Sequence, residues 1–428
     1  MANIIPFRGL KYNREKVSIS DVVSFPYDKL DKDLLKLFSS KSPYNIAELI
    51  KGDYLREDTS DSWYAHVRDT VNRWIKEGIL VYSENPSLYI YEQVFSKNGK
   101  DFSRFSFTGL GELQPFQYGH IKPHENTFFG PKQDRSRLLE ATHMNFGHIF
   151  VLFYGKENSI RDMVTKVAAA LSPECNFKDD FGVRHRFWEV SDKTFITKII
   201  SQMKDQQLLI ADGHHRYESA LELYEKMKKD HPGEAEKFRY RMMTFVDIND
   251  PSLVILPTHR VFYPDKKISQ DKSVLLEKLE KNFDVSDSFQ KTDARSLDDI
   301  LQSASYERPF FLMVKGNTVK SLTMKKESFA SIGEIIKRLS VSVLQDIIAR
   351  NILHLDFRSM VPGKDVNYFK NTEDVLEDVR KNPQAIGFLV KPTPIDQVRS
   401  VVEVSGRMPQ KSTDFYPKIY TGFVFYKM

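Results

Sequence analysis

The stretch LLIADGHHRYESALELYEKM, Leu208 to Met227, decides how this chain is read. Leu208, Leu209, Ile210 and Ala211 are an apolar run too short for a helix, and the length predicts a buried strand. A polar turn follows at Asp212, Gly213, His214 and His215. From Arg216 the pattern takes the helical period, with Tyr217, Ala220, Leu221, Tyr224 and Met227 on one face and Glu218, Glu222, Glu225 and Lys226 elsewhere. The segment therefore reads as strand, tight glycine turn, helix. That geometry aims backbone N–H groups past the strand end, where an anion can be held. Two imidazoles and a guanidinium add the positive charge that suits phosphate. The competing reading makes Asp212 a simple helix cap. Zinc fits poorly, because adjacent histidines on a turn rarely reach one metal and no cysteine cluster completes a set.

Outward from this turn, RYRMMTFVDIND and SLVILPTHRVFY read as strands, so the neighbourhood is an α/β unit with its ligand expected at the strand ends. His259 and Arg260 either line that end or sit in an exposed loop. Upstream, GHIKPHENTFFGPKQDRSRLLEATHMNFGHIFVLFY is the second chemically loaded segment. It reads as a loop from Pro123 to Thr127, a Gly130-Pro131-Lys132 turn, a helix beginning at Asp134 and Arg135, and a strand at IFVLFY. A His124-Glu125 pair flanked by Asn126 and Thr127 suits proton abstraction, the carboxylate taking the proton and its neighbours orienting it. The alternative is a hydrogen-bonded loop with no chemistry. His120, His143 and His148 are read as structural.

Near the N-terminus, Pro26, Tyr27 and Asp28 interrupt an apolar run, and Asp28 is either a metal or substrate ligand or the cap of the helix suggested by DKDLLKLFSS. Trp63 to Lys76 has helical spacing, and Leu88 to Gly111 reads as a hairpin about Asn98-Gly99. Near the C-terminus, Lys411, Ser412 and Thr413 form a basic-hydroxyl cluster, with Lys418 beyond Pro417. The triplet lacks the glycine spacing of a P-loop, yet lysines beside hydroxyls can clamp phosphate oxygens.

With 428 residues, the chain has material for two or three domains and a sizeable core. We place boundaries at 1–100, 101–262 and 263–428, the last contributing the Lys-Ser-Thr loop. The balance of 63 Lys and Arg against 58 Asp and Glu leaves +5, too mild to argue for nucleic acid. One cysteine, Cys175, cannot form an internal disulfide. No apolar stretch reaches membrane-spanning length and MANIIPFRGL lacks a signal-peptide core, so a cytoplasmic location and no membrane partner are expected.

IADGHHRYESAL, IKPHENTFFGPKQDR and MPQKSTDFYPK, together with PFRGLKYN, PYDKL, SPYNI and LPTHR, carry a resemblance. The chain resembles, from about Pro6 to Phe425, a full-length member of a family long catalogued as a domain of unknown function. Its centre is similar to the ParB/sulfiredoxin-like fold, in which a glycine-histidine-arginine turn binds nucleotide phosphates. The resemblance implies an α/β class (α+β mixed), with that unit at the centre and N- and C-terminal additions. Free-serine kinases share the fold, with an Asp-Gly-His turn and a catalytic glutamate in an upstream Pro-His-Glu loop, and some family members are serine kinases that use pyrophosphate. Here Asp212 to Arg216 match the turn, and Pro123, His124 and Glu125 match the loop. His214 stands where sulfiredoxin has its reactive cysteine, which argues against sulfinic-acid reduction. Nothing after Ile248 reads as the DNA-binding helices of ParB.

The combined expectation is phosphoryl transfer to free L-serine from pyrophosphate, ADP or ATP. Glu125 would be the base, with His124 orienting it and Asp212 binding Mg²⁺ or the acceptor. Gly213, His214, His215, Arg216, Lys411, Ser412, Thr413 and Lys418 would hold phosphate. Asp28, Asn126, Thr127 and His259 would contact substrate. Two alternatives remain: a ParB-like phosphate-binding regulator without need of Glu125, and a phosphatase or pyrophosphatase with water as acceptor.

Overall fold

Runs of apolar and aromatic residues at strand period dominate the first half of the chain, and in the computed structural model they form a nine-stranded mixed sheet. The structure describes residues 3–51, 61–97, 99–126, 129–155, 159–265, 272–286, 289–290, 293–357, 359–404 and 406–428. Two compact units emerge. The first comprises Met1–Pro123, Thr127–Val254 and Pro417–Met428, and the second His124–Asn126 and Ile255–Tyr416. The fold is mixed α/β.

In chain order the first unit's sheet contains β1 (Ile4–Ile5), β2 (Leu88–Lys97), β3 (Lys100–Glu112), β4 (Ile121–Pro123), β5 (Ile149–Phe153), β6 (Cys175–Lys178), β7 (Arg184–Val190), β8 (Leu208–Asp212) and β9 (Tyr240–Asp247). Their spatial order is β4-β8-β5-β9-β3-β2-β7-β6, with β1 added beside β3. The expected hairpin is β2 with β3, registered from Tyr89 opposite Thr108 to Lys97 opposite Lys100. Of its expected turn, Asn98 lies outside the described residues.

β5 and β8 are interior strands, which explains why both read as unbroken apolar runs rather than alternating ones. β8 pairs parallel with β4 and antiparallel with β5, and its register shifts between Ile210 and Asp212. A local irregularity of this kind re-aims the side chain that follows it, here Asp212. Helices α1 (Phe129–Thr142) and α2 (His214–Asp230) contribute Leu139, Tyr217, Ala220, Leu223 and Tyr224 to a core shared with Ile149, Val151, Leu208, Ile210 and Phe245.

Three local expectations change. The helix after β8 begins at His214 rather than Arg216, because Gly213 already supplies the break and both histidines fit its first turn. Gly130, Pro131 and Lys132 belong to α1 rather than to a turn, since a proline in the first turn removes no intrahelical hydrogen bond. Asp31, not Asp28, caps the helix Lys32–Ser39 by accepting from the Leu34 N–H at 2.8 Å.

The second unit is a seven-stranded sheet. Its central strands include β10 (His259–Phe262), β11 (Phe310–Lys315) and β12 (Ile386–Val390), paired antiparallel in the spatial order β11-β12-β10. Period-two alternation divides their side chains between two cores. Phe262, Phe311, Met313 and Phe388 enter one, and Val261, Leu312, Val314 and Leu389 enter the other. Among the described residues no helix is long and apolar enough to cross a membrane.

Candidate functional site

The residues singled out in the sequence fall into one cluster in each unit. In the first unit, Gly213 is the N-cap of α2 with φ +91°, a left-handed conformation that side chains with a Cβ rarely adopt. A methyl group there would also lie 3.1 Å from Nε and Nη2 of Arg216. Glycine is thus required twice, by its own backbone and by the guanidinium packed over it. Asp212 accepts the Gly213 N–H at 2.8 Å through Oδ1 and the Lys418 ammonium at 3.2 Å through Oδ2, and Arg216 Nη2 stands 3.8 Å from Oδ1. Burial alone would raise the Asp212 carboxyl, but Lys418, Arg216 and Lys29 outweigh it and hold the group well below the usual carboxylate range. It is ionised at any physiological pH.

Arg216 is only 7% exposed. One guanidinium nitrogen donates to the carbonyl of His148, while Nε has no hydrogen-bond partner among the described residues. His148 is buried as expected, sharing a 2.8 Å hydrogen bond between Nδ1 and the Thr244 hydroxyl. Burial, then the charges of Arg216 and Arg241, push its imidazole down to about 3. His214 is buried and His215 half-buried in the first turn of α2.

In the second unit, Glu125 anchors the loop 411–413. Oε1 accepts both the backbone N–H and the hydroxyl of Thr413, each at 2.8 Å, and Oε2 accepts the Lys411 N–H at 3.2 Å. A hydroxyl has one proton. Because Thr413 donates it to Glu125, the 2.7 Å contact between Thr413 Oγ1 and His124 Nε2 assigns the ring proton to Nε2. The chain is further tied at Met408, whose N–H donates to the His124 carbonyl at 2.7 Å and whose carbonyl accepts from the Asn126 N–H at 3.3 Å. Lys411 takes a left-handed backbone, φ +59°, inside this loop. Beneath it lies Arg260, fully buried, with Nη2 3.4 Å from the carbonyls of both Gln410 and Lys411.

The structure divides the C-terminal cluster: Lys418 stands with Asp212 in the first unit, and Lys411 to Thr413 with Glu125 in the second. The Ser412 hydroxyl is buried and donates to the Pro409 carbonyl, so it serves the loop itself. His259 is 2% exposed in β10, and its Nδ1 accepts the Val390 N–H at 3.1 Å. Burial and the charges of Lys370 and Arg260 push it down to about 3, as for a neutral core histidine. Asp28 is exposed on the short turn Tyr27–Lys29, and Thr127 lies outside the described residues. Arg135 and Arg241, which the sequence reading did not single out for function, face the same pocket as Arg216. The available signal was the interruption of the apolar run of β9 by an arginine at position 241.

Among the described residues no group of three or more His, Cys, Asp and Glu side chains is arranged to hold a metal ion. Asp212 fits Mg²⁺ poorly, since Lys418 already engages its carboxylate and Arg216 stands nearby.

Comparison with known proteins gives a family and distant structural likenesses. The model of the family described as "Protein of unknown function (DUF1015)" matches residues 4–342. No curated protein matches the chain. Among solved structures, a conserved hypothetical protein from Pyrococcus furiosus is 14% identical, over 70% of this chain and 89% of that one, with a TM-score of 0.34. A free serine kinase in complex with AMP is 13% identical over 69% and 84%, with a TM-score of 0.36. SbnI with C-terminal truncation from Staphylococcus aureus is 12% identical over 73% and 86%, also at 0.36.

Proposed function

The chain belongs to the DUF1015 family, and we propose that it is a phosphotransferase that moves a phosphoryl group from a small phosphate donor, pyrophosphate foremost, to the hydroxyl of free L-serine. The observation that carries the reading is the glycine-broken strand-to-helix turn, where Arg216 and Lys418 are gathered about Asp212 at the start of α2. A helix N-terminus with cationic side chains beside it favours an anion with several oxygens.

In this reading Arg216, the first turn of α2 and Lys418 hold the donor phosphates and spread the charge that develops on the transferred group. Glu125 accepts the proton of the serine hydroxyl. The hydroxyl oxygen attacks the terminal phosphorus, the bond to the bridging oxygen breaks, and phosphate or nucleotide leaves. His124 and Thr413 orient the carboxylate through the hydrogen bonds described. Mg²⁺ enters as the counter-ion that the donor carries, with no step assigned to it.

One observation favours a second reading. Glu125 accepts three hydrogen bonds from the loop it anchors, which suits a structural role, and a phosphate-binding regulatory protein would need no base. The deciding experiment incubates the full chain and Mg²⁺ with pyrophosphate, ADP or ATP and a panel of hydroxyl amino acids, read by phosphorus NMR. A phosphoserine resonance with one donor is the expected result. Donor consumed without an ester selects a pyrophosphatase or phosphatase, and binding without consumption selects the regulator.

A further inference from the structure

Beside the turn, the first unit carries a pocket open to solvent, with Arg135, Arg216 and Arg241 among its lining residues. Guanidinium groups gathered in one small space repel one another, and burying them removes the water that would soften the repulsion. Neighbouring carboxylates normally meet that cost, and here the supply is uneven. Arg135 is paired with Asp134 and lies over the ring of Tyr27, 4.1 Å from its centroid. Arg216 has only Asp212 as an ion-pair partner among the described residues, at 3.8 Å. Arg241 has no ion pair among the described residues, is 6% exposed, and its Nε and Nη1 have no hydrogen-bond partner there. Burial, then Arg216 and Arg135, pull its guanidinium down to about 9, so it still carries its charge at neutral pH.

The rest of the lining is of the kind that fits a small, oriented ligand. Ser219 and Thr421 are among the lining residues, and Leu139, Met144 and Phe146 make the wall apolar elsewhere. Gly147 keeps the wall thin beside Arg216, since a methyl group there would lie 3.0 Å from Nη1.

We propose that Arg135, Arg216 and Arg241 form a pocket for one oxyanion group of a small molecule, a carboxylate or a phosphate, that pairs with Arg241, which has no ion pair among the described residues. The inference shares Arg216 with the proposed phosphate turn and rests on that reading for which substrate supplies the anion: the carboxylate of the serine acceptor or a phosphate of the donor. The existence of the pocket does not depend on catalysis.

The test uses the full chain, with melting temperature and calorimetric titration against inorganic phosphate, pyrophosphate, L-serine and acetate. At least one of these should raise the Tm of the wild type, by on the order of 5 °C at about 100 times its Kd. Arg241→Met should melt higher than the wild type without anion, because an uncompensated buried charge is replaced by an apolar chain of similar length. It should also bind the same anion at least about tenfold more weakly. Arg135→Gln, at a less buried position, should weaken the same anion several-fold and decides the matter should Arg241→Met fail to fold. Stabilisation by phosphate or pyrophosphate assigns the pocket to the donor, and by L-serine or acetate to a carboxylate. Anion binding unchanged by either substitution, or no stabilisation by any of the four, overturns the pocket. Arginine-dependent binding with no phosphoester product upholds the pocket and removes the kinase reading. Phosphoserine formed by Arg241→Met with unchanged KM does the reverse.

Discussion

The turn around Asp212 and the loop around Glu125 hold their carboxylates in different ways. In the turn, one carboxylate faces Lys418 and Arg216, and a further buried arginine, Arg241, has no carboxylate partner among the described residues. In the loop, one carboxylate is satisfied locally by the hydroxyl and backbone N–H groups of 411–413, while the buried Arg260, whose Nε and Nη1 likewise have no hydrogen-bond partner among the described residues, feels the Glu125 charge and reaches two carbonyls. Unbalanced charge in a folded protein points to a ligand that completes it, whereas balanced charge is compatible with architecture alone.

Glu125→Gln should have the largest effect. It keeps the shape of the side chain but not its basicity, so turnover should fall by about 10²- to 10⁴-fold with donor affinity retained. Steady-state rates and donor titration on one preparation check this, and normal turnover would make the loop architectural. Arg216→Ala comes next. Loss of a charge-assisted hydrogen bond should weaken the donor roughly 10- to 150-fold, measured by calorimetry, and an unchanged Kd would end the phosphate-turn assignment.

Gly213→Ala sharpens the contrast within the turn itself. The left-handed backbone and the contact with Arg216 together should cost about 2 kcal/mol in denaturant unfolding, and the displaced guanidinium should weaken anion binding. A variant as stable as the wild type would mean the turn relaxes without using Arg216.

The smallest effect is pH dependence, read from two of the buried histidines, one in each unit. His148 and His259 are both held near 3, below the ordinary 6.5, by burial and neighbouring cations. Between those values the unfolded chain binds protons that the native protein does not. Stability should therefore be full above about pH 6.5 and fall as the pH drops towards 3. At pH 5.5 the loss should be on the order of 1 kcal/mol per histidine. Urea unfolding at pH 7.5 and 5.5 measures it, and His148→Gln should remove that residue's own share. A pH-independent midpoint would contradict the burial of both rings.

The elements around the turn were legible because their signals are local. Leu208 to Ala211 is too short for a helix and too apolar for a surface strand, and the residues after Gly213 repeat at helical spacing. The helix start was read two residues late because histidine has no strong preference for either side of a helix boundary. Long-range partners left no comparable trace. Thr413 is bound by Glu125 across 288 residues, and Lys418 by Asp212 across 206. Side chains that looked like one basic-hydroxyl cluster in the sequence belong to different units in the fold.

By itself, the sequence determined the strand, the glycine break, the helix and the chemical types gathered at the turn, because backbone conformation and amphipathic period are set by near neighbours. Only the tertiary structure decided which charges are compensated. Ser412 spends its hydroxyl on Pro409, Glu125 is taken up by 411–413, and Arg241, one charge in an apolar strand, is left beside Arg135 and Arg216. Compensation depends on distances and on the water excluded around each group, and both are fixed only when segments far apart in the chain pack together.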